Sequence, residues 1–64
     1  MSNIKTLREK MNMTQTELAE KVGIKRSAVA MWETGGNMPT AAKLPAIAKA
    51  LNCTIDDLYQ SKTD

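Results

Sequence analysis

The sequence predicts an all-α domain, and three observations support that fold class. Phe is absent and aromatic residues make up only 3% of the 64 residues, whereas Ala, Leu, Lys, Glu and Met, which favour helices, are common. Apolar residues recur at helical spacing along much of the chain. Residues typical of helix starts and ends separate these stretches. The chain, 1–64, should therefore form one helical domain near the lower size limit for a core without disulfides or metals.

The chain has a single cysteine, Cys53, and no histidine. It can form no internal disulfide, and one Cys without His cannot complete a zinc site. We therefore predict no metal, no cofactor and a core of ordinary hydrophobic packing, in which Cys53 packs as a small apolar residue. No stretch approaches the roughly 18–20 apolar residues of a membrane span, and no signal-peptide pattern is present, so we expect a soluble cytoplasmic protein without membrane contact.

The first two helices are predicted from apolar spacing and from one capping pair. The first covers residues 2–11, where i, i+3, i+7 spacing places three residues on one face: Ile4, Leu7 and Met11. Thr14 and Glu17 form a capping box that starts a second helix over 15–22. That helix should bury Leu18, Ala19 and Val22. Gly23 follows where the chain needs positive φ, so the second helix ends there.

The third helix should begin at residue 25 or 26, after the corner at Ile24, and last to about 33. At about 100° per residue, its core side comprises Ala28, Val29 and Trp32. Its outward side comprises Arg26, Ser27, Ala30 and Met31. Two helices joined by a tight turn that contains Gly are typical of the helix-turn-helix motif, whose second helix enters the DNA major groove.

A fourth helix is predicted over 44–51, with residues 40–43 as an irregular lead-in because Pro45 is tolerated only in a first turn. Its inward residues should be Leu44, Ile47, Ala48 and Leu51. Asn52 stands where a left-handed residue would end the helix.

Thr54 and Asp57 then cap a short fifth helix over 55–60. This helix should contribute Ile55 and Leu58 to the core. Residues 61–64 are expected to form a frayed polar tail.

Several positions together carry a family resemblance. They are Thr14-Gln15-x-x-Leu18-Ala19-x-x-Val22-Gly23-Ile24, Ser27-x-Val29, Trp32-Glu33-x-Gly35, Pro39, Leu44, Ala48-x-Ala50-Leu51 and Leu58. This pattern resembles the Cro/cI-type phage repressors, the XRE-like helix-turn-helix family, over about residues 3–60. The resemblance implies a lambda-repressor-like DNA-binding domain, a compact bundle of five helices whose third is the recognition helix. It also implies a core position for Trp32 and a scaffolding ion pair between Arg8 and Glu33.

The outward face of the third helix is the predicted base-reading surface. Arg26 has the planar fork that pairs with guanine O6 and N7, and Ser27 can donate to an acceptor base or a phosphate. Ala30 and Met31 offer apolar contact to thymine methyls, although spacing or packing explains these two residues equally well. The resemblance places Gln15 against the DNA backbone and near the adjacent base pair. For Arg26 and Gln15 the competing interpretation is a solvated surface side chain.

A second group of residues is predicted to contact phosphates. The start of the second helix has unsatisfied N–H groups and a positive dipole end that attract a phosphate. The candidates are Thr14, Thr16, Lys25, Lys10, Gly36, Asn37 and Lys43. The family usually has a capping Ser or Thr where Lys25 stands, and a Lys or Arg where Gly36 and Asn37 stand. The phosphate grip should therefore be lighter than in relatives.

Charge and composition narrow the class of function. Residues 1–26 carry six Lys and Arg against three Glu, whereas residues 27–64 carry three Lys against four acids. A basic half suits double-stranded DNA, although solvated helix faces produce the same asymmetry. Without His and with no activated nucleophile, catalysis is disfavoured. We expect a transcriptional repressor on a palindromic operator, with a protein-interaction module such as an antitoxin or partner regulator as the alternative.

A domain of this size contacts one half-site, so binding to a palindrome predicts a homodimer, weak in solution or formed on DNA. The candidate dimer surface lies around Met38, Ile55 and Tyr59.

Overall fold

The computed structural model describes residues 3–59, and every regular element in that range is helical. The helices are α1 (Ile4–Lys10), α2 (Gln15–Val22), α3 (Arg26–Thr34), α4 (Leu44–Ala50) and α5 (Ile55–Tyr59). A 3₁₀ turn, Ala41–Lys43, leads into α4. The prediction of an all-α, five-helix domain is confirmed. The proposed tail, 61–64, lies outside the described residues.

The helix boundaries follow from the capping residues that the sequence supplies. The Thr14 hydroxyl accepts from the Glu17 N–H at 3.0 Å, and the Glu17 carboxylate accepts from the Thr14 N–H at 2.8 Å. Thr54 and Asp57 form the same reciprocal pair at the start of α5, with both distances 3.1 Å. Gly23 ends α2 with φ 84°, where a side chain would be strained. Each of these predicted caps is confirmed.

The core lies where α2, α3 and α4 meet. Leu18, Val29 and Ile47, one from each of these helices, are fully buried, and α1 contributes Ile4. Around them lie Met13, Ala19, Trp32, Leu44, Ala48, Leu51 and Leu58. Each large apolar side chain that leaves water here contributes about 1.5–3 kcal/mol. Because α2 packs against both α3 and α4, it holds α3 in a fixed position relative to the rest of the domain.

One predicted core position, Ile55, is wrong, and Met11 does not continue the apolar face on which its spacing placed it. Met11 is 43% exposed because α1 ends at Lys10, so Met11 leaves the helix before it can continue the apolar face. Met13 is buried instead, at 8% exposure. Ile55 is 39% exposed and is the first residue of α5, in which Leu58 is the buried side chain.

The predictions about Pro45, Asn52 and Cys53 are confirmed. Pro45 sits in the first turn of α4, where its missing N–H costs no hydrogen bond. Asn52 is left-handed, with φ 54°. Cys53 is half-buried and packs against the core. Over residues 3–59, no helix is both long and apolar enough to cross a membrane.

Candidate nucleic-acid interface

The turn between α2 and α3 sets the position of the candidate recognition helix. The N–H groups of Gly23 and Ile24 both donate to the Ala19 carbonyl, at 2.8 and 2.9 Å. The turn therefore takes only three residues, and α3 begins at Arg26. Val29 and Trp32 anchor α3 to the core, so the opposite side of the helix faces away from it.

The predicted base-reading residues lie largely on the outward side of α3. Arg26, Ser27 and Met31 are exposed, and Ala30 is half-buried. A nine-residue helix is about 13.5 Å long at 1.5 Å per residue. A major groove about 12 Å wide admits such a helix with its side chains. The geometry therefore suits insertion of this face, and Ala30 at its edge allows close approach of the backbone.

Below this face, an ion pair joins the first and third helices. The Arg8 Nε and Nη2 atoms donate to the two oxygens of Glu33, at 2.7 and 3.1 Å, and Arg8 Nη1 donates to the Met13 carbonyl at 2.6 Å. The Glu33 side chain is only 4% exposed and that of Arg8 11%. The ion pair implied by the family resemblance is confirmed, and its bidentate geometry gives it directional strength.

Gln15 extends this ion pair to the outward face. Its amide Nε2 donates to Glu33 Oε1 at 3.0 Å, and its Oε1 accepts from Arg26 Nη1 at 2.9 Å. Arg8, Glu33, Gln15 and Arg26 thus form one continuous chain of hydrogen bonds through α1, α3 and α2. We call these four residues the polar relay. Of the predicted DNA contacts, the structure joins Gln15 and Arg26 directly.

The sequence pattern alone does not predict the polar relay, since it assigns Glu33 only to an ion pair of the scaffold. A signal for it exists in the spacing of Arg26 and Glu33. Seven residues at 100° each bring the helix back to within 20° of the same side, about 10.5 Å further along the axis. A side chain that lies against this side of α3 can therefore contact both residues, and Gln15 does so.

The charges of the ion pair are stabilised by their partners. Burial raises the pKa of Glu33, but the hydrogen bonds from Arg8 and Gln15 and the positive charge of Arg8 outweigh burial and hold that pKa below its usual value. The hydrogen bond to Glu33 raises the pKa of Arg8 further above its ordinary value. Both groups are therefore charged at neutral pH.

The first residues of α2, next to Arg26, have a geometry suited to binding an anion. The N–H groups of Gln15 and Thr16, first in the helix, have no acceptor within residues 3–59. The Thr14 hydroxyl accepts from Glu17 and so keeps its own proton to donate. These donors and the positive end of the helix dipole favour a phosphate at this position.

The lysines predicted to contact phosphates are not part of the hydrogen-bonded site at the start of α2. Lys10 and Lys25 are exposed and Lys43 is half-buried at the end of the 3₁₀ turn. None of the three forms an ion pair within the part of the chain that the structure describes. Thr16 is exposed in the first turn of α2. Each of these side chains is available to a phosphate.

The loop after α3 requires one correction. The Gly36 N–H already donates to the Met31 carbonyl at 3.0 Å as α3 ends, so it is not free to hold a phosphate as predicted. The Asn37 side-chain oxygen accepts from the Met38 N–H at 2.7 Å, which leaves its Nδ2 group to donate. We therefore retain only Asn37 from this loop as a phosphate candidate.

Other features of the described residues lie away from this face. A shallow open groove is lined by Lys21, Ala46, Lys49 and Ala50, between α2 and α4. Burial, with a smaller contribution from Asp57, raises the pKa of Cys53, so its thiol is a poor nucleophile at neutral pH. No cluster of three potential metal ligands occurs among residues 3–59.

Comparison with known proteins assigns this arrangement to a family. A family model described as Helix-turn-helix matches residues 4–58, nearly the whole described structure. The chain belongs to this helix-turn-helix family. The resemblance to the XRE-like regulators is confirmed, since relatives of this chain include phage repressors.

Three relatives illustrate the range of this family. The HTH-type transcriptional activator BcrR of Enterococcus faecalis is 38% identical over 92% of this chain and 29% of its own length. An HTH-type transcriptional regulator of Archaeoglobus fulgidus is 38% identical over 91% of this chain and 82% of its own. The cryptic phage CTXphi transcriptional repressor RstR of Vibrio cholerae is 37% identical over 80% of this chain and 46% of its own. This chain thus spans less than half of BcrR and of RstR.

Proposed function

We propose that this helix-turn-helix protein is a sequence-specific, double-stranded DNA-binding regulator of transcription, and that it acts as a repressor. The single observation that carries this proposal is the outward face of α3. It presents Arg26 beside the free N–H groups of α2, while the opposite side of α3 is anchored in the core. The protein acts by binding and not by catalysis, as is typical of helix-turn-helix regulators.

The exposed side of α3 recognises the bases. Arg26 donates one N–H to Gln15, which leaves four of the five guanidinium donors for a guanine edge. A bidentate contact of this kind discriminates by about 1–3 kcal/mol against other bases. Ser27 donates to an acceptor base or a phosphate. Met31, together with Ala30, supplies apolar contact to thymine methyl groups.

Phosphate contacts orient α3 in the groove. The start of α2 holds one phosphate through the Gln15 and Thr16 N–H groups and the Thr14 hydroxyl, while the second hydrogen of the Gln15 amide donates to the same phosphate or to the adjacent base. Lysine side chains and Asn37 contact further phosphates. The lysines are Lys10, Lys25 and Lys43. Such contacts fix register without reading sequence.

The size of the domain supports binding of two copies to one operator. The domain measures 31 × 23 × 19 Å, so its longest dimension is shorter than the roughly 34 Å between successive turns of the major groove on one side of DNA. One copy therefore reads one half-site, and a palindrome requires a homodimer. Met38, Ile55 and Tyr59 are 45%, 39% and 50% exposed and are the apolar residues that we assign to its contact surface.

Repression is the regulatory outcome that we propose, by occupation of an operator that overlaps a promoter. RstR carries the name of a repressor and BcrR that of an activator, so the direction of regulation is tested directly. A reporter gene behind the selected operator should fall in expression when this chain is produced. A rise in expression would replace repression by activation and leave DNA recognition intact.

Selection of bound sites from random duplexes tests recognition. The wild-type chain should enrich a palindrome with half-sites one helical turn apart. Arg26→Ala should lower preference at one base pair of each half-site by about 1–3 kcal/mol. Lys49→Ala removes the same charge from the groove between α2 and α4 and should leave the preference unchanged.

The salt dependence of affinity separates DNA binding from the protein-interaction alternative. Binding to DNA should weaken steeply as salt rises, because phosphate contacts release counterions. Failure to enrich any duplex, combined with salt-insensitive capture of a protein, would favour the alternative function.

A further inference from the structure

We propose that Glu33 is a positioning residue for DNA recognition: its carboxylate fixes the orientation of the Gln15 amide, and the Gln15 oxygen then holds Arg26 for base contact. This inference rests on the proposed function, because it assigns Arg26 to the base-reading surface. It goes beyond the scaffolding ion pair with Arg8, since it gives the same carboxylate a second task on the DNA side of the molecule.

The chemistry of the two neighbours of Gln15 determines which way its amide points. An ionised carboxylate only accepts hydrogen bonds, and a guanidinium only donates them. Glu33 therefore requires the NH₂ end of the amide, and Arg26 requires the oxygen end. The observed bonds of 3.0 and 2.9 Å satisfy both requirements. A flipped amide would bring two acceptors together at Glu33 and two donors together at Arg26.

Burial determines which end of the polar relay is fixed and which is free. The Glu33 side chain is 4% exposed and is held by two bonds from Arg8, so it moves little. Gln15 is half-buried, and Arg26 is exposed. An exposed arginine with no partner would sample many rotamers and would lose that freedom when DNA binds. The polar relay restricts Arg26 before DNA arrives, which lowers this cost.

The test removes the carboxylate without leaving a buried unpaired charge. Arg8→Met combined with Glu33→Met replaces the ion pair by apolar side chains, a replacement that folded proteins often tolerate. Thr54→Ala is the control, because loss of the cap at the start of α5 destabilises the fold but leaves all four residues of the polar relay in place. Gln15→Met interrupts the polar relay at its next member and leaves the ion pair intact.

Two measurements are made on each folded variant. In the DNA-free protein, ¹⁵N relaxation of the Arg26 Nε–H group should report lower order in the double variant and in Gln15→Met than in wild type, and unchanged order in Thr54→Ala. In site selection, preference at the base pair that Arg26 reads should fall roughly two- to tenfold in the first two variants, as expected for loss of one hydrogen bond. The preference should stay the same in Thr54→Ala.

The outcomes distinguish this inference from the proposed function. Unchanged Arg26 order in the double variant would overturn the positioning role, whatever the DNA results. Equal loss of order in Thr54→Ala would also overturn it, because a general loosening of the fold would then explain the effect. If Arg26→Ala leaves base preference unchanged, the base-reading assignment fails, whereas Arg26 order in the free protein still decides whether Glu33 positions this side chain.

Discussion

The start of α3 lacks a side-chain cap, and this yields a prediction in which stability and DNA affinity change in opposite directions. Lys25 has φ −82° and ψ 148°, close to the values of −80° and 165° at Thr14, which caps α2. Yet no side-chain hydrogen bond caps α3. The backbone at Lys25 is thus already in the conformation of a capping residue, and only the acceptor oxygen is missing. Lys25→Ser should supply it without moving the chain.

The expected gain can be worked from these facts. A Ser that caps an N–H in the first turn of α3 stabilises a helix by about 1 kcal/mol relative to Ala. Removal of a positive charge from the positive end of the helix dipole adds about 0.3 kcal/mol or more. Lys25→Ala gains only the second contribution. For a domain of this size, 1 kcal/mol raises Tm by roughly 4–8 °C.

Urea unfolding, followed through the fluorescence of Trp32, measures this gain. Trp32 is the single tryptophan and is 5% exposed in the fold, so its emission should change on unfolding. Serine should exceed alanine by about 1 kcal/mol. In DNA binding, both variants should lose affinity equally and reduce the salt slope by about 1, if Lys25 contacts a phosphate. Equal stability of the two variants would refute the reasoning about the missing cap.

Three further predictions concern the turn, the ion pair and the thiol. Gly23→Ala should destabilise the domain by about 1–2 kcal/mol through its φ of 84° alone, since a Cβ there meets no atom within 4 Å. Gly36→Ala, whose Cβ would make only ordinary van der Waals contacts, the nearest with Met31 Cε at 3.6 Å, should stay within about 0.5 kcal/mol in the same urea assay. The lowered pKa of Glu33 contributes stability that is complete above the unfolded pKa near 4.3 and is lost as pH falls through the folded pKa. Urea titrations at several acidic pH values should show this loss of stability. The double variant Arg8→Met with Glu33→Met should lack the part of the pH dependence that comes from Glu33. Since burial raises the pKa of Cys53, a thiol reagent at neutral pH should modify it more slowly in the folded chain than in urea, and equal rates would contradict that assignment.

The polar relay also bears on how the proposed regulator would distinguish operators. A side chain that is already held in place loses less entropy on binding, and a wrong base then meets a donor that cannot easily move to another acceptor. Arg26 is the only described member of the outward face that the structure holds by a side-chain hydrogen bond to another helix. We therefore expect the base pair that it reads to be the most selective position of each half-site.

Local signals were enough to predict the helices of this protein. Thr14 with Glu17, Thr54 with Asp57, and Gly23 act within a few residues of sequence, so the boundaries that depend on them could be predicted. The exposed side of α3 followed from helical period for the same reason. The apolar pattern failed at Met11, where α1 ends one residue earlier than predicted, and at Ile55, the first residue of α5. Both residues lie at a helix terminus, where burial depends on packing as well as on local preference.

The sequence by itself determined the helical order, the glycine corner and the identity of the outward residues, since each depends on contacts between near neighbours along the chain. Only the tertiary structure decided which polar side chains meet. Gln15 contacts Glu33 and Arg26 across 18 and 11 positions of sequence, and Gly36 uses its N–H inside the chain. The physical reason is that side-chain hydrogen bonds act over about 3 Å, so they form only after hydrophobic packing has fixed the separation and rotation of the helices.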